Sequence, residues 1–278
     1  MGLAETSLKY VGPKWTPERK NGRKKSQLGC MDDLVIALVL FEGAEEQDVV
    51  GPFEMFYWMS LFEALPPDRR PIGEPDFAVD FISESEFADY FYPKVAPKAK
   101  VFTVGPSIKT YRMSSGMQWT PDFSHDNAPA ANMIVVPGGR GAHDIPARYR
   151  DGTIDYIKMA ANSPGNKYVM SVCTGAFLLA AAGILDGRHC QVSSHNYGRF
   201  EREVPKAKLL KDPLINFVQD GNLFTSNGPC SGLATSLRVV EVHCGTGRKN
   251  NLRELIEYKV PPVKGALVEN DVLTDITV

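Results

Sequence analysis

Cysteine is sparse in this chain and neither sign of charge is in excess, and each shortage removes a class of function. Five cysteines (Cys30, Cys173, Cys190, Cys230, Cys244) in 278 residues form an odd, widely spaced set with no Cys-x-x-Cys pair. That pattern argues against a disulfide framework and against a zinc site. A reducing compartment, the cytoplasm, is the expected setting. Formal net charge is −2 with no long single-sign field, so neither nucleic acid nor an anionic membrane surface is an expected partner. The longest apolar runs, Leu34–Phe41 and Ala176–Ala182, fall well short of the ~20 residues a bilayer-spanning helix needs. His125, His143, His189 and His243 show no metal-ligand spacing to one another or to carboxylates, and no metal is expected. An apolar signal-peptide core is also missing. A small neutral molecule is the natural partner that remains.

The chain is 43% hydrophobic and 23% charged, enough for one large domain with a substantial core. Residues 1–31 mix Gly, Pro and Lys with few apolar side chains, and read as a basic tail that cannot offset the entropy of ordering. The domain is expected over 32–247, with 248–278 as a C-terminal extension. Leu34–Leu40, Met133–Val136 and Tyr168–Val172 are short aliphatic runs suited to strands buried on both faces. Phe77–Ile82, Val101–Val104, Val192–Ser194, Leu214–Val218 and Leu223–Ser226 supply further strands. Helices are expected after Gly51-Pro52, with Pro52 near the first turn, over Gly175–Ala182 ending at Gly183, and over Gly232–Val242. Strands alternating with helices imply a mostly parallel sheet covered on both faces, its ligand crevice at the carboxyl ends of the strands.

The strongest chemical signal is Tyr168-Val-Met-Ser-Val-Cys173-Thr174-Gly-Ala, where a strand passes into a helix with a thiol at the junction. That is the context of a nucleophile elbow. A helix N-terminus favours the thiolate, so the pKa of Cys173 is expected below the free value of about 8.5; the other reading is a small buried hydrophobe. Asp48, in Gln47-Asp48-Val-Val-Gly51-Pro52, is either a carboxylate facing the sulfur or a helix-capping residue. In Pro137-Gly138-Gly139-Arg140-Gly141 the glycines let backbone N–H groups approach a ligand and stabilise developing negative charge. No Lys-Ser or Lys-Thr pair follows them, so nucleotide binding is not expected. His195 is either a proton relay to the thiol or structural.

With those residues in place, the chain resembles the DJ-1/PfpI superfamily, the class I glutamine-amidotransferase-like proteins, over about residues 33–243. The resemblance rests on Glu42-Gly-Ala-Glu-Glu-Gln-Asp48-Val-Val-Gly51-Pro52, Val135-Val-Pro-Gly-Gly139, Ser171-Val-Cys173-Thr174-Gly, Ser194-His195 and Thr225-Ser226-Asn-Gly228. Within it the chain is most similar to the isonitrile hydratase (cyclohexyl-isocyanide hydratase) group, which also resembles the sensor half of some AraC-type regulators. The resemblance implies a flavodoxin-like three-layer sandwich, a homodimer and cofactor-free chemistry. It also implies Cys173 as nucleophile, Asp48 as acid/base, and Thr174 and the Gly139 backbone around the reacting carbon, with Gly138, Arg140 and His195 on the substrate side. In such a cycle sulfur adds to the terminal carbon of R–N≡C to give a thioimidate, water adds, and loss of Cys173 leaves an N-substituted formamide. An apolar pocket with few polar groups suits that substrate. Hydrolase or glyoxalase-like work on a carbonyl, and a ligand- or redox-sensing role, are the alternatives. The segment after the domain lacks the paired helical units of an AraC-type DNA-binding half.

Overall fold

The computed structural model describes residues 34–64 and 100–278. The N-terminal tail and the expected strand Phe77–Ile82 lie outside these residues. Thirteen strands are described: β1 (Val35–Val39), β2 (Lys100–Gly105), β3 (Tyr111–Arg112), β4 (Gln118–Trp119), β5 (Phe123–Ser124), β6 (Met133–Val136), β7 (Tyr168–Ser171), β8 (His189–Cys190), β9 (Lys208–Leu209), β10 (Phe217–Asp220), β11 (Leu223–Ser226), β12 (Lys264–Glu269) and β13 (Val272–Thr277). The α-helices are α1 (Glu46–Ala64), α2 (Ile145–Arg150), α3 (Thr153–Ala161), α4 (Gly175–Ala181), α5 (Tyr197–Glu203), α6 (Ser231–Cys244) and α7 (Thr246–Leu255).

Nine strands form one sheet in the order β13-β12-β10-β11-β7-β6-β1-β2-β5, parallel except at the β10–β11 and β12–β13 pairs. The aliphatic runs occupy its centre: every residue of β6, and Ile36–Val39 of β1, is fully buried, as strands covered on both faces must be. Helices α1, α6 and α7 pack together, as do α2, α3 and α4, completing the flavodoxin-like three-layer sandwich. The loops after β1, β6 and β7 therefore open side by side at the carboxyl end of the sheet.

Several local expectations shift. Helix α1 starts at Glu46, with Glu46 and Asp48 in its first turn, where acidic side chains complement the macrodipole. Pro52 thus sits inside the helix and removes the bond that an amide there would donate to the carbonyl of Asp48. The Gly-Pro pair is a contact rather than an opener, because a Cβ on Gly51 would lie 3.2 Å from Leu233 Cδ2 of α6. Val192–Ser194 is not a strand: Ser194–Asn196 forms a 3-10 turn, since the Gln191 amide donates to Thr225 Oγ1 (2.8 Å) and that of Ser194 to Asn227 Oδ1 (2.9 Å). The strand read at Leu214–Val218 begins at Phe217. Residues 264–269, in the expected extension, pair parallel to β10, with Gly265 opposite Phe217. Only a residue without a side chain fits there, since a Cβ would stand 2.2 Å from Phe217 Cζ. Cys173, Cys190 and Cys230 are free thiols, whereas Cys244 is disulfide-bonded, a departure from the reading against disulfides. Among the described residues no helix is long and apolar enough to cross a membrane.

Candidate active site

Strand β7 ends at Ser171, α4 begins at Gly175, and Cys173 turns the chain between them at φ +57°. For a residue with a Cβ this left-handed conformation costs about 1–3 kcal/mol and persists only where the surroundings impose it. Here the Cys173 amide donates to both Ser226 O (3.1 Å) and Asn227 O (2.9 Å). The Thr225-Ser226-Asn227 segment therefore builds the elbow rather than the substrate wall. Gly175 is required by crowding, since a Cβ would approach Val136 O to 2.3 Å.

Asp48 is fully buried. Its Oδ2 accepts the Gly138 amide at 2.8 Å, ninety residues away in sequence, so it ties the first turn of α1 to the loop after β6 rather than capping its own helix. Its Oδ1 is buried without a hydrogen-bond partner. Burial, opposed by the Gly138 amide and reinforced by Glu45 and Glu46, pushes the Asp48 carboxyl up to about 7. Burial, together with the Asp48 charge, pushes the Cys173 thiol up to about 11, against hydrogen bonds from Thr174 and Ser193 that lower it. This reverses the expectation of a favoured thiolate: desolvation outweighs what the seven-residue α4 supplies. At neutral pH, thiolate formation ahead of reaction would cost on the order of 5 kcal/mol.

The Pro137-Gly138-Gly139 loop does not present its amides to a ligand as the sequence suggests. Gly138 donates to Asp48, Gly139 to Thr174 Oγ1 (2.9 Å), Arg140 to Ser114 Oγ (3.2 Å) and Gly141 to Gly43 O (2.9 Å). Its glycines serve packing, since a Cβ on Gly138 would meet the Thr174 nitrogen and Oγ1 at 2.5 Å.

Cys173, Thr174, Gly139 and Arg140 line a common cleft of about 410 Å³. Asp48 and Gly138 stand behind it, and exposed His195 is not among its lining. Ser193, rather than His195, is the side chain from that segment that acts to lower the thiol's pKa. The rest of the wall is Glu45, Ser114, Ser115, His143 and Asn196, so several polar side chains border the cleft where a pocket with few polar groups was expected. Sequence reasoning passed over these residues. Ser114 and Ser115 lie in a stretch with no motif; Asn196 stands beside the His195 singled out in the sequence; Glu45 sits in a run of glutamates with no role assigned, and burial and Glu46 raise its pKa. Among the described residues no group of three His, Cys, Asp or Glu is placed to hold a metal ion.

A strained cysteine at a strand-to-helix elbow, with a buried carboxyl at its side on a flavodoxin-like sheet, defines a class of thiol-centred α/β proteins. Comparison with known proteins narrows the class: the DJ-1/PfpI family model matches residues 78–242, more than half the chain, and the chain belongs to the DJ-1/PfpI family. The matched range contains Cys173 and begins after Asp48. The chain is 30% identical over 168 residues to the isonitrile hydratase of Pseudomonas putida, an alignment covering 60% of this chain and 69% of that protein. It is 29% identical over 147 residues to the HTH-type transcriptional regulator GbdR of Pseudomonas aeruginosa, covering 52% of this chain and only 38% of the regulator. Among solved structures, a ThiJ/PfpI family protein from Pseudomonas syringae superposes with a TM-score of 0.62 at 20% identity, over 90% of this chain and 84% of that one.

Proposed function

We propose that this protein is a cofactor-free, cysteine-dependent lyase of the isonitrile hydratase type, converting R–N≡C and water into an N-substituted formamide. Asp48 carries the reading: a buried carboxyl that ionises near 7 beside a thiol near 11 suits an addition in which one group must both take and give a proton. The similarity to the Pseudomonas putida hydratase supports the choice of substrate. As Cys173 sulfur bonds to the terminal carbon, its proton passes to Asp48 and from there to that carbon, giving the thioimidate R–N=CH–S. Water then adds to the carbon, losing one proton to Asp48, which passes it to the nitrogen and leaves R–NH–CH(OH)–S. The C–S bond breaks and the formyl C=O forms as the hydroxyl proton passes through Asp48 to the leaving sulfur. Apolar surface bordered by Glu45, Ser114, Ser115, Asn196 and Arg140 suits isonitriles that carry a hydrogen-bonding group beside an apolar one. A homodimeric, cytoplasmic enzyme acting on a small molecule, with no nucleic acid or membrane partner, is part of the same proposal.

Mass spectrometry of a panel of polar and apolar isonitriles, with α-ketoaldehydes alongside, tests it. The expected product is the isonitrile plus one water, lost in Cys173→Ala and Asp48→Asn. Turnover equal in wild type and both variants refutes the chemistry, and a ketoaldehyde product alone would select the carbonyl alternative. The similarity to GbdR favours a second reading, a ligand-sensing protein, which would keep its ligand affinity in both variants and turn nothing over.

A further inference from the structure

The Gly138–Gly141 amides are engaged within the protein, so on that wall of the cleft the donors open to a substrate oxygen are side chains. His143 is one of them. His143 closes the 3-10 turn Arg140–His143 and lines the cleft with Cys173. Its Nδ1 is hydrogen-bonded to Arg199 Nη1. A guanidinium only donates, so Nδ1 must be the acceptor, and a neutral ring accepting there carries its proton on Nε2. Arg199 is itself held in place: its Nε is 2.8 Å from Glu203 Oε1, and its guanidinium lies 4.9 Å over the Phe177 ring. The same ring meets His143 edge-on at 5.7 Å. Burial, then the Arg199 charge, lowers the pKa of His143, which agrees with a neutral ring.

We infer that His143, locked by Arg199 with its proton on Nε2, is a catalytic hydrogen-bond donor to the oxygen that becomes the formyl carbonyl. This rests on the hydratase reading and deepens it. When the tetrahedral R–NH–CH(OH)–S intermediate collapses, its hydroxyl proton leaves toward Asp48 and negative charge gathers on that oxygen; the Nε2–H of His143 stabilises it until the C–S bond breaks, the carbonyl forms and the proton passes on to sulfur. Arg199 is a positioning residue and does not touch substrate.

The test is steady-state kinetics on an isonitrile turned over by the wild type, comparing His143→Phe, His143→Gln and Arg199→Met, with ¹⁵N NMR of the histidine rings. Loss of one such donor lowers kcat by about 10²- to 10³-fold, so His143→Phe should fall in that range with KM little changed. Gln, whose amide N–H reaches a similar position, should restore kcat to within about tenfold of wild type. In the wild type the His143 ring should show a protonated Nε2 and a bare Nδ1, and Arg199→Met should mix the tautomers while lowering kcat. Turnover unchanged in His143→Phe, or a proton found on Nδ1, overturns the assignment and leaves the hydratase reading standing. Absence of any isonitrile turnover by the wild type overturns both.

Discussion

Replacing Asp48 with Asn removes an ionisation while keeping both the shape of the side chain and an oxygen to accept the Gly138 amide. The carboxyl ionises near 7 in the folded protein against an ordinary value of 3.8. Between those values the folded chain holds a proton that the unfolded chain has released. Asp48 therefore stabilises the fold fully below about pH 4, relative to its ionised form, and that contribution disappears as pH rises through 7. The interval corresponds to a free energy on the order of 4 kcal/mol. Glu45 is also raised but is present in both proteins, so the difference between them isolates Asp48. Urea unfolding at intervals from pH 4 to 8 measures it. The stability of Asp48→Asn relative to wild type should climb from pH 4 to about 7, by at least ~2 kcal/mol, and flatten by pH 8. Parallel curves would show that Asp48 is ionised throughout and would remove the argument that it shuttles the sulfur proton.

The remaining predictions concern the elbow and its loop. The pH profile of kcat/KM should rise through about 7 as Asp48 becomes able to accept a proton; a profile flat from pH 5 to 8 would contradict that role. In a Cys230→Ser background, which removes the exposed free thiol, iodoacetamide should alkylate Cys173 slowly at pH 7 and faster toward pH 10. Fast reaction at neutral pH would contradict a thiol near 11. Gly138→Ala should cut turnover by more than tenfold, because the added Cβ displaces Thr174 and loosens the Asp48 contact; a crystal structure would show the Gly138–Asp48 bond lengthened. Gly175→Ala, with its Cβ 2.3 Å from Val136 O, should destabilise the fold by about 1–3 kcal/mol in denaturant unfolding.

Residue order along the chain was enough for the central strands of the sheet and for the cysteine elbow. Aliphatic runs too short for helices, each ended by Gly or Pro, are legible as central parallel strands because burial on both faces leaves no polar period. A cysteine between such a run and a helical one is legible as an elbow because that junction is local. Pro52 misled because the Gly-Pro signal is local whereas its cause, the approach of α6 to Gly51, comes from almost two hundred residues away. The electrostatics reversed for the same kind of reason: a helix N-terminus can be read in sequence, but the desolvation of Cys173 is set by everything packed over it. Tertiary structure alone decided which side chains surround the sulfur. Ser193 rather than His195 acts to lower the thiol's pKa, Asp48 turns away from its own helix to the Gly138 amide, and His143 faces Arg199 fifty-six residues away. No periodicity encodes such contacts, because they depend on how separate loops meet at the end of the sheet.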